Sequence, residues 1–146
     1  MPKNVLISPL KIIEVPDGDV LHAVKVSDTG FHGFGEAYFS TIKNGKVKAW
    51  KRHRKMTLNL VVPTGAIRFV LFDDRDAQTD ANQFQEVTIS SSNYCRLTVP
   101  PMVWLGFQGI EEGLNLLLNV ADFEHDPLEV DRKEIEEIAF DWSQKV

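Results

Sequence analysis

The chain has 146 residues, 43% hydrophobic and 25% charged, with a formal net charge of -5 and a pI near 5.3. Such values fit one ordinary soluble domain with a core of its own, spanning 1–146, and exclude a disordered chain. The acidity argues against a nucleic-acid partner, which needs a basic domain behind its basic patch, and no apolar run approaches the roughly 20 residues that cross a bilayer.

Residues 6–15 are rich in β-formers and broken by Pro9, which lacks a ladder donor. The segment reads as an edge strand or as an arm that pairs with another subunit. Residues 16–19 make a turn around Gly18, residues 20–26 alternate loosely, and residues 28–35 form a glycine-rich loop carrying His32. No strand, G-x-G-x-x-G, helix succession surrounds those glycines, so they are not a dinucleotide fingerprint. Residues 36–42 read as a strand, Lys43-Asn44-Gly45 as a hairpin turn, and residues 46–53 as the partner strand. Strict alternation then puts Val47, Ala49, Lys51 and His53 on one face and Lys48, Trp50, Arg52 and Arg54 on the other.

Residues 56–62 form a nearly continuous apolar strand, Pro63-Thr64-Gly65 a turn, and residues 66–73 a strand with Ile67, Phe69 and Leu71 on one side. Both strands read as central. A polar loop over 74–83 precedes strands at 86–90 and 94–99, and Pro100-Pro101 forces a turn before a strand at 102–107. Residues 114–120 supply one more strand. Residues 131–138 carry the one helical pattern, with Asp131 as its N-cap. Many short strands with regular turns and one short C-terminal helix indicate an all-β antiparallel sandwich or barrel. The lone Cys95 cannot form an internal disulfide and packs in the core, and the N-terminus lacks a secretory signal pattern, so the expected compartment is the cytoplasm.

The chemistry concentrates in one run. Lys46, Lys48, Lys51, Arg52, His53, Arg54 and Lys55 stand together just before the chain turns apolar. On an acidic protein, such a lip at the mouth of a core can hold a small anion; the alternative is a solvated strand edge whose lysines discourage pairing. His53 titrates near neutral pH and suits a general base. Lys51 would act as a base if burial among cations lowered its pKa, or would stabilise an enolate formed beside a ketone. Tyr38 and Ser40 share one face of their strand. Trp50 and Trp104 either stack on a ring or fill the core, and Asn59 and Asn119, which interrupt apolar strands, either face a cavity or serve structural partners. His22, His32, His53 and His125 are scattered, so no metal is expected, and no P-loop, nucleophile elbow or Cys-His pair appears.

Residues 45–53, G-K-V-K-A-W-K-R-H, are similar to the motif G-V-L-R-G-L-H-Y-Q, and residues 65–75 to G-x-V-F-D-V-x-V-D-x-R. Residues 99–107 are similar to I-P-P-G-F-A-H-G-F, and Ile138-Ala139-Phe140-Asp141 to I-R-W-D. In this order and spacing, over roughly two-thirds of the chain, they resemble the dTDP-4-dehydrorhamnose 3,5-epimerase family and its sugar 3,4-ketoisomerase relatives. The resemblance implies a cupin jelly-roll barrel, a homodimer, and cofactor-free proton transfer beside the ketone of a dTDP-4-keto-6-deoxyhexose. Lys48 falls on the family's diphosphate contact, with Arg52 and Arg54 as further anion ligands, and Asp141 falls on the acid that orients the base. Lys51 and His53 fall on the two histidines of the ketoisomerase motif R-G-x-H-A-H. Asn59, Trp104 and Asn119 would complete the substrate site. The chain departs from the family where Lys51 replaces the epimerase base histidine, where Leu105 replaces the histidine of A-H-G-F, and where Phe123 or Glu124 stands in place of the tyrosine acid, a role Tyr38 would take over. The alternative implied by these losses is a non-catalytic sugar or nucleotide-sugar binding protein.

Overall fold

The structure is a computed structural model and describes residues 4–75 and 83–146; residues 76–82, in the polar loop expected over 74–83, lie outside it. In chain order the strands are β1 (Leu6–Pro9), β2 (Ile12–Ile13), β3 (Val20–Leu21), β4 (Glu36–Thr41), β5 (Val47–His53) and β6 (Leu58–Thr64). They continue with β7 (Ile67–Phe72), β8 (Phe84–Ile89), β9 (Cys95–Val99), β10 (Trp104–Gly109), β11 (Leu116–Ala121) and β12 (Val130–Arg132). Two five-stranded antiparallel sheets, β1-β9-β6-β11-β4 and β12-β5-β10-β7-β8, face one another, and β2 with β3 makes a small ribbon. This is the expected jelly-roll sandwich.

The core follows from period-two alternation. Leu58, Leu60 and Val62 of β6, Leu97 and Val99 of β9, and Leu117 of β11 meet Ile67, Phe69 and Leu71 of β7 and Leu105 of β10. Each such side chain, fully buried, contributes about 1.5–3 kcal/mol. Cys95 lies among them as an apolar filler. A second apolar cluster, Trp50, Val70, Trp104 and Ile138, sits on the outer side of the second sheet, where Phe140 and Trp142 of the C-terminal segment cover it.

Two expectations fail. The hairpin over 36–53 does not form, because β4 pairs with β11 whereas β5 pairs with β10 and β12. Asn44-Gly45 does turn the chain, but into the opposite sheet, where both strands find an apolar layer to cover. The same crossing occurs at Gly65, whose φ is +82° and where a Cβ would lie 2.3 Å from Leu114 O, so a side chain there is excluded twice over. The helix over 131–138 is also absent. Val130–Arg132 pairs with β5 instead, and only a single 3-10 turn, Ile135–Glu137, follows. The exposed ladder of β5 needs a partner more than the segment needs its local helical preference. Among the described residues no helix is long and apolar enough to cross a membrane.

Candidate active site

The site starts from an irregularity in β5. Lys48 pairs with Phe107 and Lys51 with Leu105, so Ala49 and Trp50 together oppose the single residue Gly106. A bulge of this kind inserts one residue and reverses the alternation beyond it. Lys48 and Lys51 therefore share the inner face with Leu105 and Phe107, whereas the Trp50 indole goes outward and donates from Nε1 to Ile135 O at 3.2 Å. Strict alternation had put the two lysines on opposite faces, and the bulge corrects that. Gly106 permits it, since a Cβ there would come within 2.8 Å of Ala49 Cβ and 3.0 Å of the Trp142 ring.

The inner face opens into a cavity of about 570 Å³ between β4 and β11 of one sheet and β5 and β10 of the other. Its size falls in the range of small-molecule pockets. Tyr38, Ser40 and Asn119 line one wall, Lys48 and Lys51 the other, Leu105 and Phe107 the apolar floor, and Arg132, Lys133, Glu134 and Glu137 the rim. Asn119 Nδ2 donates to Ser40 Oγ at 3.1 Å. Lys48 Nζ donates to Thr41 O at 2.8 Å, which holds it at the mouth. Burial, helped by the Glu36 charge, pushes the Tyr38 phenol up, so it stays protonated at neutral pH. Burial, then the neighbouring Arg132, pulls the Lys51 ammonium below the usual lysine range, and Glu129 opposes them.

Two residues beyond Lys51 on the same side of β5 stands His53, only 7% exposed. Its Nδ1 is hydrogen-bonded to the Glu129 carboxylate, and its Nε2 is buried with no partner among the described residues. Glu129 is itself anchored: its other oxygen accepts from the backbone N–H groups of Arg54, Lys55 and Met56 at 3.1, 3.0 and 3.2 Å. Burial lowers the His53 pKa below its ordinary value, with Lys51 and His125 helping, and outweighs the opposing pull of Glu129. For Glu129, burial works upward, but the His53 bond and the Lys55 and Met56 N–H groups prevail and leave it below the usual carboxylate value. The two shifts agree on one state at neutral pH: an ionised Glu129 accepting from Nδ1–H of a neutral His53, whose Nε2 carries a free lone pair.

Of the residues expected in the site, Lys48, Lys51, Tyr38 and Asn119 line the cavity, His53 is buried further along the same face of β5 and is not among the lining residues, and five others lie elsewhere. Asp141 is on the surface, where it accepts from the Ser143 backbone N–H and hydroxyl at 3.0 and 2.5 Å, so it does not orient His53. Arg52 lies on the outer side of the second sheet, bound to Asp131 at 2.7 Å and Asp74 at 3.3 Å and stacked 4.6 Å from the Trp104 ring. Arg54 is drawn to the same Asp131, at 2.7 Å. Trp104 belongs to the outer aromatic cluster and donates to Asp74 Oδ2. Asn59 faces outward under the 28–35 loop, donating to Gly30 O and accepting from Arg96 Nε and Thr98 Oγ1. A register shifted by the bulge and a β12 that brings Asp131 against β5 account for both arginines.

Sequence reasoning missed Glu129 and the rim residues Arg132, Lys133, Glu134 and Glu137. The available signal for Glu129 was Asp126-Pro127, a turn opener: Asp126 caps the 3-10 turn Pro127–Glu129 and so fixes where Glu129 points. A second hollow, about 370 Å³, lies between the β2–β3 ribbon and Arg96. Its buried guanidinium is already engaged by Asn59, Ala23 O, Asp28 and Thr29 O.

No family model matches the chain. A dTDP sugar isomerase from Desulfovibrio desulfuricans G20 is 34% identical and superposes over 99% of this chain and 94% of its own with a TM-score of 0.90. QdtA, a sugar 3,4-ketoisomerase from Thermoanaerobacterium thermosaccharolyticum solved in complex with TDP, is 19% identical and covers 91% of this chain and 90% of its own at a TM-score of 0.74, a likeness of fold. Among curated proteins, the probable low-salt glycan biosynthesis epimerase Agl13 of Haloferax volcanii is 30% identical over 84 residues, which span 57% of this chain. That match extends over 54% of the relative, about half its length.

Proposed function

The chain belongs to the jelly-roll family of dTDP-sugar isomerases and epimerases, and from that premise we propose that it isomerises a nucleotide-linked 4-keto-6-deoxyhexose by moving a proton next to the ketone. The observation that carries this reading is the cavity lined by Tyr38, Lys48, Lys51 and Asn119, with the buried His53–Glu129 pair two residues further along β5 on the face that Lys51 shares. Glu129 holds the imidazole in the tautomer that leaves Nε2 as the acceptor, and His53 removes the proton from the carbon adjoining the ketone. The charge that develops on the ketone oxygen faces the Lys51 side chain on the cavity wall. Tyr38, on the opposite sheet and kept protonated, returns a proton. Lys48 and Arg132 hold the diphosphate, in place of Arg52 and Arg54. No cofactor takes part in this sequence. The protein acts in the cytoplasm as a homodimer that pairs through the free edge of β1, the outer strand of its own sheet.

The test is to incubate the protein with dTDP-4-keto-6-deoxyglucose and resolve the products by NMR, while calorimetry measures dTDP binding to the protein and to Lys48→Ala and Arg132→Ala. A new isomer, with dTDP affinity lowered about 10- to 150-fold in each variant, supports the reading; each lost charge-assisted contact is worth about 1.5–3 kcal/mol. No isomer and no binding reject it. Leu105, apolar on the cavity floor where the family carries a histidine, favours the non-catalytic alternative, and tight dTDP binding without any isomer would establish that one.

A further inference from the structure

The cations on the cavity wall differ in what holds them. Lys48 is tied to Thr41 O, and Lys133 lies 5.0 Å from the Trp104 ring. Among the described residues, the Lys51 side chain makes no hydrogen bond, ion pair or ring contact. It stands on β5 between Leu105 on one neighbouring strand and Arg132 on the other. Burial and the neighbouring Arg132 weigh against the ammonium there, while the Glu129 carboxylate weighs for it. The same causes, burial first and Arg132 second, lower its pKa. Desolvation beside a second cation is the recognised way to make a lysine nucleophilic at neutral pH. Were Lys51 needed only as a fixed charge, an arginine would serve better, because it keeps its charge when buried.

We propose that Lys51 is a nucleophile whose free amine condenses with the ketone of the bound sugar to form an imine. This rests on the functional reading above and replaces its enolate with a covalent intermediate. The Nζ lone pair forms a C–N bond to the carbonyl carbon as the C=O π electrons move to oxygen. The oxygen then leaves as water, taking one hydrogen from the amine and one proton from solvent, and the nitrogen is left as a protonated imine. That positive nitrogen acidifies the neighbouring C–H. His53 Nε2 accepts the proton, and the C–H electrons form an enamine. Return of a proton restores the iminium, and water hydrolyses it to the isomerised ketone and the free amine. Atoms and electrons balance without an oxidant or a cofactor. The spacing suits the step: Lys51 and His53 lie two residues apart on one strand face, about 6–7 Å between Cα atoms. The base thus stands on the face of β5 from which Lys51 enters the cavity.

The experiment incubates the full chain with dTDP-4-keto-6-deoxyglucose and sodium cyanoborohydride near neutral pH and maps the adduct by peptide mass spectrometry. In parallel, deuterium exchange beside the ketone is followed without the reductant. The expected result is one reduced adduct, at Lys51, suppressed by excess dTDP, with exchange lowered about 100-fold or more in a folded Lys51→Arg variant. Exchange that proceeds in the wild-type protein with no adduct at Lys51 overturns the imine and leaves the isomerase reading standing. An adduct at Lys51 without exchange upholds the imine and removes the isomerase reading. Adducts scattered over Lys48, Lys133 and surface lysines, indifferent to dTDP, overturn the proposal, and the wild-type adduct decides it even if Lys51→Arg fails to fold.

Discussion

Replacing Glu129 by alanine removes the acceptor for the His53 ring and for the backbone of residues 54–56. Arg54 N–H keeps another acceptor, Glu129 O at 2.8 Å, and Lys55 N–H lies nearer solvent. The Met56 N–H and the His53 Nδ1–H are left buried without a partner. A buried orphaned donor costs about 1–3 kcal/mol, so the pair sums to about 2–6 kcal/mol. For a chain of this length each kcal/mol lowers Tm by about 2–4 °C, which predicts a loss on the order of 10 °C by circular dichroism or calorimetry. Asp141→Ala removes only contacts to Ser143 on the surface and leaves Tm where it was. Equal melting of the two variants, or the larger loss in Asp141→Ala, refutes the assignment of Glu129 as the partner of His53.

Stability also reports on His53 through pH. Its folded pKa lies below the unfolded value near 6.5, so the unfolded chain binds more protons and stability falls as pH drops below about 6.5. Glu129, also lowered, adds a second loss below its ordinary value of 4.5 as pH falls toward its folded pKa. Urea melts from pH 7.5 to 4 should show both losses, the first missing in His53→Asn; a flat profile in the wild-type protein contradicts this. Arg52→Ala loses Asp131, Asp74 and the Trp104 face, and is expected to lower Tm while leaving dTDP affinity unchanged by calorimetry. Weaker dTDP binding in that variant at unaltered Tm would return Arg52 to the cavity.

The strands were legible where one face is buried. Ile67, Phe69 and Leu71, or Leu58, Leu60 and Val62, announce a period of two by themselves. Their partners were not, because Asn44-Gly45 and Gly65 report that the chain turns and not which sheet receives it. Lys51 and His53 stood out as a motif, yet the face of Lys48 depended on a bulge admitted by Gly106, far along the chain on β10. Glu129 obeyed no spacing rule, since the groups it binds lie at 53–56 and meet it only through the fold. Asp141 matched a motif by position. Phe140 and Trp142 beside it turn toward Arg68 on the outer side of the sheet, and Asp141 is left at the surface. The helical pattern over 131–138 was real in local terms and lost to a tertiary demand, the open edge of β5.

The measurement that bears most directly on proton transfer by His53 is deuterium uptake from heavy water into dTDP-4-keto-6-deoxyglucose, followed by NMR at the carbons flanking the ketone. Uptake catalysed by the wild-type protein, slowed about 10²–10⁴-fold in His53→Asn while dTDP affinity is preserved, is the predicted result. Uptake no faster than in buffer, or equal in the two proteins, contradicts it.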